Sequence, residues 1–440
     1  MEERIFRCKA GSFTGYETER CIHISGIRYA ESERFTAPKP YRYGEGVHAC
    51  TSPAPFCFQR RSRLEQSLSG LSYETRAQEE SCQYLSITMP KEAKGPLPVM
   101  VWFHGGSYRS GGCDSPVYDR ELLASEQNVM VIGVNYRLGV FGFVKDREGH
   151  FFNGGLLDAI EAVRWVKENC AVFGGDPDSI TVFGQSAGAD LVRSLLLSDG
   201  TEGLFRRPII MSAPFGAMEN RQEMELRVLA ELNTYPMDAP AEKLKQAEEA
   251  ILSHVVEKGN PKYLVFAPHY GIDPLPKRSE IPERIKERAG NTDLLIGCTS
   301  REVSVYGSDK RWFQVIDQLV PAKQVTEYLI RKMSDSIFAD GSREFARMWS
   351  EAGGVTYYYT FEWIENHSVI GAGHTIDLLP LFGGKQAEGR VNAMGLTAEE
   401  IEEKGKPMRN VWAEFARSGM VHETEVKDLL KIQPYGGSGK

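Results

Sequence analysis

Ser186 stands in the stretch Ile180-Thr181-Val182-Phe183-Gly184-Gln185-Ser186-Ala187-Gly188-Ala189-Asp190, with Gly184 and Gly188 two residues to either side. Strand-favouring residues lead in, and the run from Ala189 to Leu197 reads as a helix. A chain that turns from strand to helix within five residues leaves little room for side chains at the bend, and glycine supplies that room. The serine at the apex is then held in a strained, exposed turn with its hydroxyl aimed off the sheet. The N–H of Ala187 opens the new helix, where unpaired donors and the dipole favour an anion. Together these give a nucleophile and half of an oxyanion site for acyl transfer. The bare Gly-x-Ser-x-Gly pattern is weak alone, because a chain with 43 glycines can produce it by chance. A base, an acid and a second set of donors must be found elsewhere.

The elements that would position such groups are legible on both sides. Leu97-Pro98-Val99-Met100-Val101-Trp102-Phe103 and Val129-Met130-Val131-Ile132-Gly133-Val134-Asn135-Tyr136 are continuous apolar runs, as expected of strands buried on both faces of a mostly parallel sheet. A short strand is expected near Cys21 to Ala30, before a proline-rich loop. Between Gly155 and Cys170 the apolar residues recur at helical spacing. The turn cluster Phe173-Gly174-Gly175-Asp176-Pro177 follows, then the serine strand, then a strand at Arg207 to Ser212. Residues 218–290 are more polar and helical, most clearly from Glu242 to Leu252. Strands return at Leu294 to Gly297 and Val355 to Phe361, and Asn410 to Ala416 reads as a covering helix. Alternating strands and helices predict an open α/β sheet with helices on both faces. We expect one domain over residues 1–440, with 218–290 as a helical insertion.

In such sheets the chemistry collects at the carboxyl ends of strands. Three loops qualify. His104-Gly105-Gly106-Ser107 follows the first apolar strand, and the N–H groups of Gly106 and Ser107 are placed to donate to an oxyanion. Cys298-Thr299-Ser300-Arg301-Glu302 follows the Leu294 strand, and its carboxylate suits the orientation of a histidine. Gly371-Ala372-Gly373-His374-Thr375 follows the Val355 strand. Of nine histidines, only His374 lies between glycines and the start of an apolar helical run. His367 is its nearest competitor, for which a surface role is expected. The chain order Ser186, Glu302, His374 is the order used by α/β-hydrolases.

With these residues assembled, the chain resembles the type-B carboxylesterase family, which includes cholinesterases and bacterial carboxylesterases. Ser25-Gly26-Ile27-Arg28-Tyr29-Ala30 is similar to the family's Gly-Ile-Pro-Tyr-Ala segment, and Glu80-Ser81-Cys82-Gln83-Tyr84-Leu85 to its Glu-Asp-Cys-Leu-Tyr-Leu signature. Val101 to Gly106 resembles the oxyanion strand, and Asn135-Tyr136-Arg137-Leu138-Gly139 the segment after it. The most specific block runs from Gly155-Leu156-Leu157-Asp158 through Phe173 to Pro177 and on to Ala189. The resemblance implies an α/β-hydrolase fold, Ser186 as nucleophile, Glu302 as triad acid and His374 as base, with Gly106, Ser107 and Ala187 giving the oxyanion N–H groups. It also implies a supporting hydrogen-bonding role for Ser212. Departures are specific: Ser107 replaces a third glycine, Gln185 a glutamate, and Thr375 the glycine after the histidine, while Arg301-Glu302-Val303 stands for Asp-Glu-Gly. Loss of the glutamate weakens the expectation of cationic substrates. Cys57 and Cys82 occupy positions resembling the family's first disulfide, formed in secreted members.

Composition bounds the rest. The 440 residues are 41% hydrophobic and 25% charged with net charge −8, which fits a globular protein and gives no basic face for nucleic acid. No apolar run is long enough to span a membrane, and the start lacks the apolar core of a secretory signal. A cytoplasmic location with mainly reduced thiols is therefore expected. The eight cysteines form no C-x-x-C, so no zinc site is expected, and the proposed chemistry calls for no metal or organic cofactor. The expected partner is a small-molecule ester. Rival readings are a non-catalytic binding or adhesion relative of the same fold, and an amidase, thioesterase or carbamate hydrolase with the same triad. Arg109 is read as a solvated arginine, with attraction of acidic substrates as the alternative.

Overall fold

A computed structural model describes residues 4–59, 77–254, 264–306, 320–363, 370–385, 394–422 and 424–435. Its centre is an eleven-stranded sheet. In chain order the strands are β1 (Tyr16–Glu17), β2 (Cys21–Arg28), β3 (Tyr84–Pro90), β4 (Leu97–Phe103), β5 (Met130–Val134), β6 (Gly175–Gln185), β7 (Arg207–Met211), β8 (Leu294–Thr299), β9 (Thr356–Phe361), β10 (Glu425–Val426) and β11 (Leu430–Pro434). Across the sheet they lie in the order β10-β11-β9-β8-β7-β6-β4-β5-β3-β2-β1. The stretch from β9 to β5 is parallel throughout, and antiparallel strands close both edges.

The continuous apolar runs have a direct structural cause. Side chains alternate across a strand, and both faces of β4 are covered. Val99, Val101 and Phe103 enter one core, together with Leu156, Ile160 and Leu191 from the helices Gly154–Asn169 and Ala187–Leu197. Met100 and Trp102 enter the other, together with Trp412 and Phe415 from the helix Ala398–Ser418. All five β4 side chains are fully buried, each worth about 1.5–3 kcal/mol for a Val- to Phe-sized group. A charge at any of them would leave an unpaired ion in a core.

Three expectations shift. The serine strand begins at Gly175, inside the stretch read as a turn, because Gly175 pairs with Leu97 across an irregularity before Val99. The C-terminal helix begins twelve residues before Asn410, at Ala398, and carries Pro407 in its interior. Its start is fixed by a capping box in which Glu400 N–H donates to Thr397 Oγ1 at 3.2 Å and Thr397 N–H to Glu400 Oε2 at 2.7 Å. Helices Val320–Ser334 and Asp340–Glu351 stand between β8 and β9, where none was anticipated. The segment between β7 and β8 contains helices at Gln222–Leu232, Ala241–His254 and Ile281–Ala289. Among the described residues no helix is long and apolar enough to cross a membrane. His367 and the tail Gly436-Gly437-Ser438-Gly439-Lys440 lie outside the described residues.

All eight cysteines are free thiols, and only Cys8 is not buried. Cys57 and Cys82 are among them. Burial and the neighbouring Cys57 push the Cys82 thiol well up, and Cys57 Sγ accepts the N–H of Leu138 at 3.2 Å.

Candidate active site

The turn from β6 into the helix Ala187–Leu197 sets the first group. Ser186 holds φ 59° and ψ −123°, a left-handed conformation that costs a non-glycine residue about 1–3 kcal/mol. Its surroundings enforce it. Ser186 N–H donates to Met211 O at 2.9 Å, and Asp190 N–H to Ser186 O at 3.0 Å. The flanking glycines leave no alternative, since a Cβ on Gly188 would lie 2.0 Å from Phe103 O and one on Gly184 2.5 Å from the Gly188 carbonyl.

The second and third groups come from loops stitched to one another. After β8, Thr299 N–H donates to Glu302 Oε1 at 2.8 Å and fixes the carboxylate. Arg301 N–H donates to Ala372 O at 3.0 Å, His374 N–H to Glu302 O at 3.1 Å, and Ser304 Oγ to Ile370 O at 2.5 Å. The loops after β8 and β9 are thus hydrogen-bonded to one another along their length. His374 Nδ1 bonds to Glu302 Oε2, and His374 Nε2 lies 2.8 Å from Ser186 Oγ. Glu302 is fully buried and His374 is 2% exposed, while Ser186 is half-buried. The hydroxyl faces solvent access and the two groups behind it do not. Phe338 covers the imidazole with ring centroids 4.9 Å apart, and the Gln185 side-chain amide approaches His374 Nε2 at 3.4 Å.

The third loop follows β4. Gly106 has φ 112°, and a Cβ there would lie 2.1 Å from Ser110 O. Ser107 and Tyr108 follow at φ 56° and 58°. Gly105 packs on the serine turn, where an added Cβ would meet Gln185 O at 2.8 Å and Ser186 Cβ at 3.2 Å. The loop is therefore packed directly against the serine turn. The helix that opens at Ala187 starts directly after Ser186, so its N-terminus, which favours negative charge, lies beside the serine. The arrangement can carry out proton abstraction from a serine with an oriented imidazole, followed by acyl transfer.

The residues singled out from sequence fall as follows. Ser186, Glu302 and His374 come together; Ala187 follows Ser186 as the first residue of its helix, and Gly106 and Ser107 follow Gly105, which packs on the serine turn. Ser212 is buried with φ 55°, its N–H donating to Gly297 O at 2.8 Å, but its hydroxyl has no hydrogen-bond partner among the described residues. The expected supporting hydrogen bonds from that hydroxyl are absent there. Arg109 Nε instead faces Glu248 Oε1 at 3.4 Å. Glu248 sits on the helix Ala241–His254, held by Lys245 Nζ at 2.8 Å and Val140 N–H at 3.1 Å. Sequence reading missed Tyr108, Asp190 and Glu248. Their contacts join segments far apart in the chain, and no local pattern announces them.

The fold is that of the α/β-hydrolases, and the chain belongs to the carboxylesterase family, whose model matches residues 3–312. It is 32% identical to the para-nitrobenzyl esterase of Bacillus subtilis, over 95% of this chain and 91% of that protein. It is 31% identical to a Rhodococcus erythropolis protein described as "Probable N-octanoylanthranilate hydrolase", over 97% and 98% of the two chains. Among solved structures it is similar to a para-nitrobenzyl (PNB) esterase with TM-score 0.80 and 27% identity, covering 98% of this chain and 97% of the other. The carboxylesterase of Geobacillus stearothermophilus matches with TM-score 0.75 and 26% identity over 98% and 97%. The chain is accordingly a carboxylic ester hydrolase of the bacterial carboxylesterase kind.

Proposed function

We propose that this chain hydrolyses small-molecule carboxylic esters through a Ser186 acyl-enzyme, with His374 as general base and Glu302 as its orienting acid. The observation that carries the reading is the 2.8 Å approach of His374 Nε2 to Ser186 Oγ, with Nδ1 engaged by Glu302. His374 takes the Ser186 proton as Oγ attacks the ester carbonyl, and Glu302 holds the tautomer and stabilises the imidazolium. The N–H groups of Gly106, Ser107 and Ala187 stabilise the tetrahedral oxyanion. One such donor is worth about 3–4 kcal/mol of barrier. His374 then protonates the leaving alcohol, and water repeats the steps to release the acid. We treat the chain as one domain in which the helices of 218–290 are an insertion, and the free thiols suit a reducing compartment.

The test is hydrolysis of p-nitrophenyl esters from acetate to decanoate by the wild type and by Ser186→Ala. The expected result is turnover that Ser186→Ala abolishes, with a fluorophosphonate label on Ser186 of the wild type alone. A folded wild type that cleaves none of the series and takes no label would return the binding-protein reading to the front. An amide reading is favoured by one observation, the name of the Rhodococcus relative. An N-octanoyl anilide assayed beside the matching ester separates the two leaving groups.

A further inference from the structure

The two halves of the proposed oxyanion site come from different segments, the Gly106–Ser107 loop and the start of the serine helix. One side-chain bond joins those segments directly. Tyr108 Oη donates to Asp190 Oδ2 at 2.8 Å, across 82 residues of sequence. Both residues are fully buried. Asp190 lies four residues after Ser186, in the first turn of the serine helix, and its N–H closes that turn on Ser186 O at 3.0 Å. Its other oxygen, Oδ1, forms an ion pair with Arg193 Nη2 at 2.5 Å, without hydrogen-bond geometry. The Arg193 guanidinium lies 4.5 Å over the Phe215 ring, so this end of the bond is anchored. At the other end, Ser107 and Tyr108 both hold positive φ without being glycine. Such a pair relaxes unless its surroundings over-determine it. The Tyr108 ring is packed 4.7 Å from Phe143, and its carbonyl accepts Gly139 N–H at 2.6 Å.

We propose that the Tyr108–Asp190 bond is a strut that sets the Gly106 and Ser107 N–H groups against that of Ala187. Tyr108 is then a positioning residue for the transition state and contributes little to ground-state binding. The inference rests on the acyl-transfer reading above. A buried carboxylate four residues from the nucleophile would by itself oppose a developing oxyanion. The Tyr108 hydroxyl and the Arg193 guanidinium partly offset that charge, so the strut also lowers an electrostatic penalty. Arg109, the next residue, pairs with Glu248 at 3.4 Å, and the Tyr108 ring keeps its packing on Phe143, so removing the hydroxyl leaves the loop's other contacts in place.

The experiment compares wild type, Tyr108→Phe, Asp190→Ala, their double variant and Ser186→Ala on p-nitrophenyl butyrate. Each is also titrated with an aryl trifluoromethyl ketone, which forms a tetrahedral oxyanion adduct on serine, and with the matching methyl ketone. For Tyr108→Phe we expect kcat to fall about tenfold, a fraction of the loss from deleting a whole donor, with KM within about twofold. Trifluoromethyl ketone affinity should fall by the same factor and methyl ketone affinity should hold. The double variant should be no slower than the slower single one, since both act through one bond. Tyr108→Phe retaining full kcat, a loss carried by KM, or equal weakening of both ketones would each overturn the strut. Wild-type activity in Ser186→Ala would instead overturn the acyl-transfer reading itself. If Asp190→Ala fails to fold, the two ketones measured on Tyr108→Phe decide alone.

Discussion

Two histidines sit just beyond strands of the same sheet, both almost wholly buried, and their surroundings could hardly differ more. His104 follows β4, is 1% exposed, and lies against a carbonyl and a ring. Its Nδ1–H donates to Gly105 O at 2.8 Å, and its ring stacks on Tyr136 at 4.7 Å and 20°. Burial without a counter-charge pushes its pKa down to about 4. His374 follows β9, is 2% exposed, and lies between a fixed carboxylate and a hydroxyl. Burial is common to both. What makes a candidate base is the carboxylate on one nitrogen and the nucleophile on the other.

The largest effect that sharpens this contrast is on turnover. His374→Ala is expected to lower kcat on p-nitrophenyl butyrate by about 10⁵- to 10⁶-fold, whereas His104→Gln should stay within about tenfold of wild type, or ~1.4 kcal/mol of barrier. Equal losses at the two positions would break the comparison. Glu302→Gln comes next. An amide in place of the carboxylate lets the imidazole adopt the wrong tautomer, and kcat should fall by about 10⁴ with KM little changed. A KM-dominated loss would show that Glu302 holds substrate and not the histidine.

His104 makes its own prediction in stability. The folded state keeps the ring neutral down to about pH 4, while the unfolded chain takes the proton near 6.5. Between those values the unfolded state binds more protons, so stability is full above pH 6.5 and is lost as pH falls through the window. The shift corresponds to up to about 3 kcal/mol. Urea unfolding from pH 7 to 4.5 should show a steeper loss for wild type than for His104→Gln. Parallel curves would mean that the buried ring does not report on folding.

How much of this was readable beforehand follows from the range of each contact. The serine turn was legible because strand, glycines and helix lie within one short stretch, and Glu302 and His374 because each follows a recognisable strand. Two of the three bonds named between the loops after β8 and β9 are main-chain bonds, which leave no mark on side-chain types, so only the strands pointed to them. Tyr108–Asp190 and Arg109–Glu248 join distant segments and carried no signal. The long C-terminal helix did carry one, Thr397-Ala398-Glu399-Glu400, but Pro407 masked it. Proline removes one helical bond and does not always end a helix that is packed along its length. The helix Val320–Ser334 presents Val325, Tyr328, Leu329 and Met333 largely exposed, so its apolar residues do not trace one buried stripe, whereas Asp340–Glu351 does carry one, at Phe345, Ala346 and Trp349, that the sequence reading passed over.

The smallest expected effect comes from two departures from glycine. The family resemblance expects glycine at the positions of Ser107 and Thr375, and both hold positive φ, 56° and 71°. At Thr375 the strain is greater, because a β-branched side chain is the least suited to that conformation. The stitched loops around His374 force the backbone there, and the side chain bears the cost. Thr375→Gly should therefore stabilise the fold by about 1 kcal/mol, less whatever entropy the unfolded chain regains. Ser107→Gly should gain less, since serine tolerates the region better, and should also widen the proposed oxyanion site. The readout is the urea midpoint at constant slope, together with relative rates on tert-butyl and n-butyl acetate. A lower midpoint for Thr375→Gly would mean that the threonine side chain gives more in packing than its backbone loses. A tert-butyl to n-butyl ratio that rises for Ser107→Gly and not for Thr375→Gly would assign the two strained residues different tasks, one shaping the oxyanion side and the other holding the base.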